Sequence, residues 1–298
     1  MGRSNATACY RELGEHLRKR RMAAGLSARH LAGKLGWSPS KVSRIESGQV
    51  EISDVDMIHY LGPCRVFQGA AKELTELCHT AERNLGYWLS PHSPWLPESL
   101  TSLIYHEATA DACVAYEPYM VPGLLQTADY ARAMVAGRGA DPERVERSVR
   151  IRMDRQRILK APAPAPFTFF IGERALRRRV ASDAVMHEQM LKIVLLAGLR
   201  QVTLRVVPAS IEAPWTFGGS FRLFTFDRHR PLVYLDNYIT SMFLEDPSYV
   251  QPYRPLLPVM SELALDGGQS RELIATLASE YDRGSERDAG GQMEEEQP

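Results

Sequence analysis

The sequence lacks the markers of several large protein classes. It has four cysteines (Cys9, Cys64, Cys78 and Cys113), and they are scattered, with no CxxC and no paired histidine spacing. That pattern excludes a disulfide frame or a zinc finger and reads as free thiols in a reducing compartment. No apolar run approaches the roughly 20 residues a membrane helix needs, and no signal-type apolar segment opens the chain. The expectation is a cytoplasmic protein without a membrane partner. There is no GxSxG elbow, no P-loop and no GxGxxG. His106-Glu107 and His187-Glu188 are not followed by a second histidine at zincin spacing. No catalytic residue, metal site or cofactor is therefore expected, and the chain does not read as an enzyme. Formal net charge is zero, so the whole-chain balance points to no polyanion.

The charge distribution says more. The first fifty residues carry ten Lys and Arg against three Glu, a local net charge of +7, and the remainder is acidic by the same amount. A basic segment of this kind attracts a polyanion whatever the overall sum. Charge alone fits a solvated basic face equally well, and Lys19 and Arg20 read more readily that way.

Residues 11–81 read as five helices. Leu13, Leu17 and Ala24 mark the inner face of the first, which Gly25 ends. Ser27 caps a second with Leu31, Ala32 and Leu35 inward, stopped by Gly36. The third is SPSKVSRIESG, residues 38–48. Ser38 can accept a hydrogen bond from an early backbone N–H, Pro39 loses no bond at the first helical position, and Gly48 permits a left-handed stop. Ser53 with Asp56 resembles a capping box for a fourth helix carrying Val55, Ile58 and Leu61 inward. A fifth follows around Leu74, Leu77 and Cys78.

In the third helix Val42 and Ile45 are three apart and share a face. Ser40, Lys41, Ser43 and Arg44 lie wholly or partly off it, and all can donate hydrogen bonds. Two short helices joined through Gly36 and Trp37 match a helix-turn-helix, whose second helix enters the major groove of double-stranded DNA. Arg44 suits a bidentate contact to guanine, and Lys41 suits a phosphate. The helix starts at Ser27 and Ser38 offer backbone N–H groups to phosphates. Ser43 serves equally as a packing residue, and Trp37 reads as core rather than as a base-stacking ring.

The stretch GLSARHLAGKLGWSPSKVSRIESG, residues 25–48, resembles the repressor and Cro-like (XRE) helix-turn-helix family, and the likeness extends over residues 11–80. The resemblance implies an ion pair between Arg21 and Glu46 that is structural rather than a DNA contact, and base-reading positions at Pro39, Ser40 and Arg44. The family often has Gln where this chain has Ala28, so either phosphate binding is weaker there or Arg29 takes the phosphate.

Beyond the N-terminal domain, residues 86–98 hold three prolines and read as a linker or a boundary crossing. Strand-like runs follow at 112–116, 167–171, 202–207, 221–226 and 232–235. Helical patterns lie at 123–136, 142–160, 183–199, 247–265 and 270–282. The order strand 167–171, helix 183–199, strand 202–207 is that of a parallel crossover, and the last two strands suit a hairpin across 227–231. APAPAP, residues 161–166, reads as a stiff loop. The expected fold is an N-terminal all-α five-helix helix-turn-helix domain over 1–85, a C-terminal mixed α/β domain over 86–283, and a disordered acidic tail over 284–298. Glu117, Glu173 and Asp236 fall at strand ends and read as structural.

EPYMVPGLLQTADYARAMV (117–135), RIRMDRQRIL (150–159), FFIGERALRRRV (169–180) and LVYLD (232–236) are similar to the C-terminal domain of the WhiJ-like, Scr-type, antitoxin-like regulators of actinomycetes. The resemblance implies a transcriptional regulator that works beside a small BldB-like partner protein. Three readings follow. The first is a homodimeric transcription factor whose second domain receives a protein or small-molecule signal. The second is an antitoxin-type protein that masks a small partner and regulates its own operon, marked by an exposed apolar patch over 120–180. The third is an enzyme, which the missing catalytic constellation disfavours.

Overall fold

The computed structural model describes residues 7–67, 69–83, 85–90, 100–137, 141–211, 218–237 and 240–295. The three prolines of the expected linker and residues 296–298 lie outside the described residues. The chain divides into two compact units. One comprises Met1–Leu89, Thr225–Leu232 and Phe243–Val250; the other comprises Ser90–Phe224, Val233–Met242 and Gln251–Pro298.

The first unit contains the five expected helices: α1 (Ala8–Ala23), α2 (Ala28–Leu35), α3 (Pro39–Glu46), α4 (Asp54–Leu61) and α5 (Gly69–Arg83). Their starts follow the side chains. Thr7, Ser27, Ser38 and Ser53 each accept a hydrogen bond from the backbone N–H three residues on, which satisfies one orphan donor per helix. Gly36 closes α2 in the left-handed region at φ 67°. The core takes Leu13, Leu17, Leu31, Ala32, Val42, Ile45, Leu74 and Cys78. Glu245, distant in sequence, caps α1 by accepting from the Ala8 backbone N–H at 2.8 and 2.9 Å.

The inner face of α4 differs from the expectation. Leu61 is buried as expected, but Val55 and Ile58 are 62% and 67% exposed, and Met57 and Tyr60 are buried in their place. The Ser53 cap fixes where the helix starts. Met57, Tyr60 and Leu61 then lie three and four apart on one face, and the Tyr60 hydroxyl reaches Glu46 at 2.6 Å. Val55 and Ile58 are left on the outside.

Helices α1 and α3 meet backbone to backbone. A Cβ on Gly14 would lie 2.5 Å from the Glu46 carbonyl oxygen and 2.6 Å from that of Ile45. Gly14→Ala must force the helices apart, and its expected cost is about 1–3 kcal/mol. A melting temperature equal to that of the unsubstituted protein would refute this account of the crossing.

The remaining chain forms a mixed α/β structure, as expected. The strands are β1 (Tyr87–Ser90), β2 (Ala112–Glu117), β3 (Phe167–Gly172), β4 (Val202–Val207), β5 (Phe221–Thr225), β6 (Leu232–Asp236) and β7 (Ser241–Leu244), in the order β1-β7-β6-β5-β2-β3-β4. Strand β3 pairs in parallel with β2, Phe169 opposite Ala115, and with β4, Phe169 opposite Leu204. Phe167, Phe169, Phe170 and Ile171 are all buried, the continuous apolar run of a strand covered on both faces. The helices are α6 (Leu100–Thr109), α7 (Ala128–Ala136), α8 (Pro142–Arg155), α9 (Glu173–Arg177), α10 (Asp183–Leu196), α11 (Pro247–Val250), α12 (Leu256–Leu263) and α13 (Gly267–Glu295).

Three helical expectations need correction. The pattern at 123–136 splits into a 3-10 turn (Gly123–Leu125) and α7. Thr127 caps α7, and Gln189 of α10 serves the break, accepting from the Thr127 N–H at 2.8 Å and donating to the Leu125 carbonyl at 2.9 Å. The pattern at 247–265 is interrupted at Pro252 and Pro255. The expected disordered tail is helical as far as Glu295. Extending a formed helix needs no new nucleus, although the extension crosses Gly284, Gly290 and Gly291, which are poor helix formers.

Candidate nucleic-acid interface

Helices α2 and α3 are joined by three residues, Gly36 to Ser38, and the Trp37 N–H donates to the Ala32 carbonyl at 2.9 Å. The buried side of α3 is Val42 and Ile45. Ser40, Ser43 and Arg44 are exposed on its outer side, as is Pro39 at the first turn. Ser43, which served either packing or contact on sequence alone, faces solvent. Among the described residues the Arg44 side chain makes one long hydrogen bond, Nε to the Ser40 carbonyl at 3.4 Å. Its guanidinium is otherwise available for an outside acceptor.

At the helix starts, Ser27 Oγ accepts from the His30 N–H and Ser38 Oγ from the Lys41 N–H, both at 3.1 Å. Both serines are thereby occupied as caps. Pro39 has no N–H. The N–H groups of Ala28, Arg29 and Ser40 remain for an anion at the positive ends of α2 and α3. The Arg29 side chain is exposed beside the first two.

Lys41, read from the sequence as a phosphate contact, has partners of its own within the unit. Its Nζ lies 2.7 Å from Asp56 Oδ2 and 4.0 Å from the centroid of the Trp37 ring. The ammonium is already neutralised within the unit, where it ties α3 to α4. Trp37 is half-buried beneath it rather than in the core.

Arg21 and Glu46 form a bidentate pair. Arg21 Nε and Nη2 donate to the two carboxylate oxygens at 2.6 and 2.8 Å, and Nη1 donates to the Leu26 carbonyl at 2.6 Å. Both side chains are nearly closed off from solvent. The Tyr60 hydroxyl donates to the same carboxylate, a third member that sequence reasoning missed. Burial and this bond to Glu46 push the Tyr60 hydroxyl well above its usual range.

A metal reading finds little. Among the described residues, Asp54, Cys78 and Glu82 bring ligand atoms within 4.8 Å of one another. The Cys78 thiol donates to the Ile52 carbonyl at 3.2 Å. Burial, then the charges of Glu82 and Asp54, push it up to about 12.

The second unit buries a charge network that the sequence did not announce. Arg155 Nε lies 3.1 Å from Glu107 Oε2, and Arg222 bridges Glu107 Oε1 at 3.5 Å and Glu117 Oε1 at 3.2 Å. Arg152 is buried beside Arg155, and a Cβ on Gly123 would lie 2.9 Å from Arg155 Nη2. Asp236 is half-buried, with Oδ1 shut off from solvent. Of the three strand-end carboxylates, Glu117 and Asp236 interact electrostatically within this network. Glu173 does not join them; its Oε2 accepts from the Ala209 N–H at 3.0 Å. A signal for the buried arginines was present in α8, where Val145, Val149 and Arg152 repeat at spacings of four and three on one face.

Residues 12–62 match the model of a helix-turn-helix domain, so the α1–α4 segment is a helix-turn-helix DNA-binding domain. No curated protein matches the chain. The solved structure of TrmBL2, an archaeal chromatin protein described as showing a novel mode of DNA binding, aligns with 81% of this chain and 88% of that one at 12% identity. Its TM-score of 0.29 is too low to carry an argument. No described helix is long and apolar enough to cross a membrane. Residues 100–276, more than half of the chain, match the model of a domain of unknown function, DUF5753, and the chain belongs to that family.

Proposed function

We propose that this chain is a sequence-specific transcriptional regulator of the XRE type, not an enzyme, that reads double-stranded DNA with α3. The observation that carries this reading is the exposed face of Ser40, Ser43 and Arg44 opposite the buried Val42 and Ile45. Arg44 is assigned to a guanine edge, and Ser40 and Ser43 to neighbouring base edges or phosphates. The N–H groups at the starts of α2 and α3, with Arg29, are assigned to phosphates. Lys41 is left out of the contact set because Asp56 already holds it. Two copies of the chain reading half-sites about 34 Å apart would select a near-palindrome.

The C-terminal domain, 86–283, is assigned the receipt of a signal from a small BldB-like protein or a small molecule, as its WhiJ-like motifs suggest. Either signal must bind two states of the protein unequally to act. The antitoxin-type alternative is not preferred: among the described residues, no large apolar side chain between 120 and 180 is exposed.

Selection from a random duplex pool by the purified chain tests the reading. An enriched palindrome is expected. Arg44→Ala should then lose about 1–3 kcal/mol of discrimination on that site while binding scrambled DNA nearly as before. Equal losses on both DNAs, or no enriched site at all, would sink the assignment.

A further inference from the structure

The three parallel strands β2, β3 and β4 end at Glu117, Gly172 and Val207. The segments leaving them enclose a cleft of about 80 Å³. The cleft lies outside the carboxyl ends of these three neighbouring strands. The cleft is built rather than incidental. A Cβ on Gly172 would lie 2.7 Å from the Pro118 carbonyl oxygen, so the exits of β2 and β3 pack closely only because residue 172 is glycine. Glu173 fastens the third exit: its Oε2 accepts from the Ala209 N–H at 3.0 Å, and its Oε1 accepts from Arg177 Nε at 2.6 Å. These bonds, the Ala209 N–H first, hold the Glu173 carboxyl below its usual range. Glu173 is an anion with its partners in place, and it serves as a wall.

The neighbouring Arg174 differs. It lines the same cleft, is exposed, and makes no ion pair or side-chain hydrogen bond among the described residues. Around it stand apolar surfaces: the half-exposed Tyr119 ring, Pro118, Pro208, Val207 and Ile211. A notch of mixed polar and apolar lining, with one uncompensated guanidinium beside an exposed tyrosine ring, favours a ligand with a small flat apolar body and a single carboxylate. Arginine binds a carboxylate with two parallel hydrogen bonds, and tyrosine and proline surfaces cover a ring. The cleft is open to solvent and its volume is far below the roughly 300 Å³ of common ligand pockets, so it suits a small ligand that lies partly in solvent.

We infer that this cleft is a binding site for a small aromatic carboxylate, with Arg174 holding the carboxylate and Tyr119 covering the ring. As the seat of a regulatory signal the site rests on the reading of the C-terminal domain as signal-receiving; as a binding site it does not.

The test is calorimetric titration of the full purified chain with benzoate, with benzyl alcohol as the neutral control. Saturable binding of one benzoate per chain is expected, with benzyl alcohol at least about tenfold weaker. Arg174→Ala should weaken benzoate by about tenfold or more, and Arg174→Lys, which keeps the charge but loses the fork, by less. Arg174 is exposed, so these variants fold. No saturable benzoate binding, or equal binding by Arg174→Ala, overturns the site. A DNA-binding titration with and without benzoate separates the two ideas. Benzoate bound with unchanged DNA affinity keeps the site and refutes its signalling role. DNA bound but benzoate not bound refutes the site and leaves the DNA reading standing.

Discussion

Arg21→Ala is expected to destabilise the first unit by about 3–5 kcal/mol, the cost of removing one partner from a buried ion pair. The guanidinium joins three places at once: α1 through its own backbone, the turn before α2 through the Leu26 carbonyl, and α3 through both oxygens of Glu46. Without it the Glu46 carboxylate keeps the hydrogen bond from the Tyr60 hydroxyl and stays buried with its charge uncompensated. Glu46→Ala should cost a similar amount, because it strands Arg21 instead. Replacing both residues with leucine should recover most of the loss, since apolar groups of similar shape leave no charge buried. Thermal unfolding followed by near-ultraviolet circular dichroism reads all three variants. The double variant must also be less destabilised than the sum of the singles. A melting temperature unmoved by Arg21→Ala would show that the pair does not hold the unit together. The contrast with Arg44→Ala is diagnostic. A structural arginine should change DNA binding only in proportion to the unfolded fraction, whereas Arg44 should change discrimination in a fully folded protein.

Local rules made the helix-turn-helix legible, and the same rules show why other parts were not. Three helix starts could be read because a single serine decides each one by capping the N–H three residues on; the Thr7 cap of α1 lies ahead of the expected start at residue 11. Strands β2 to β6 could be read because their apolar runs are long. Strands β1 and β7 span four residues each, too few for alternation to show. The inner face of α4 was misjudged because Val55, Met57, Ile58 and Leu61 are all apolar, and periodicity could not choose among them. The choice is made by Tyr60, which must reach Glu46, a residue on another helix. Lys41 illustrates the same limit at the site. Its spacing on α3 suits a phosphate contact, but Asp56 on α4 and the Trp37 ring capture the ammonium. The network of Glu107, Glu117, Arg155 and Arg222 draws on α6, β2, α8 and β5. No window of sequence contains it.

That network should make the second unit less stable as pH rises. Burial pushes the Glu117 carboxyl from 4.5 up to about 7, against the opposing pull of Arg222. Asp236 is raised for the same first cause, its burial. The sign follows from proton linkage. Between the unfolded value near 4.5 and the folded value near 7, the folded chain holds a proton that the unfolded chain releases. The stability from this group is fully present below pH 4.5 and is lost as pH rises through 7. For Glu117 alone the span corresponds to about 3 kcal/mol, and Asp236 adds in the same direction. The carboxylates held low by their partners, such as Glu173, titrate below this window and do not mask it. Glu117→Gln removes the titrating proton and keeps a carbonyl oxygen for Arg222. Urea unfolding of both proteins at pH 5 and pH 7.5 checks the prediction. The unsubstituted chain should lose stability between the two, and the variant should lose distinctly less. Arg222→Met adds a second arm, because it takes the ion-pair partner from Glu117 and leaves Glu107 with Arg155. It should cost about 3–5 kcal/mol at pH 7.5 and less at pH 5, where protonation of Glu117 relieves one buried charge. Equal slopes in the unsubstituted chain and Glu117→Gln would mean that Glu117 is ionised throughout, held by Arg222 against its burial.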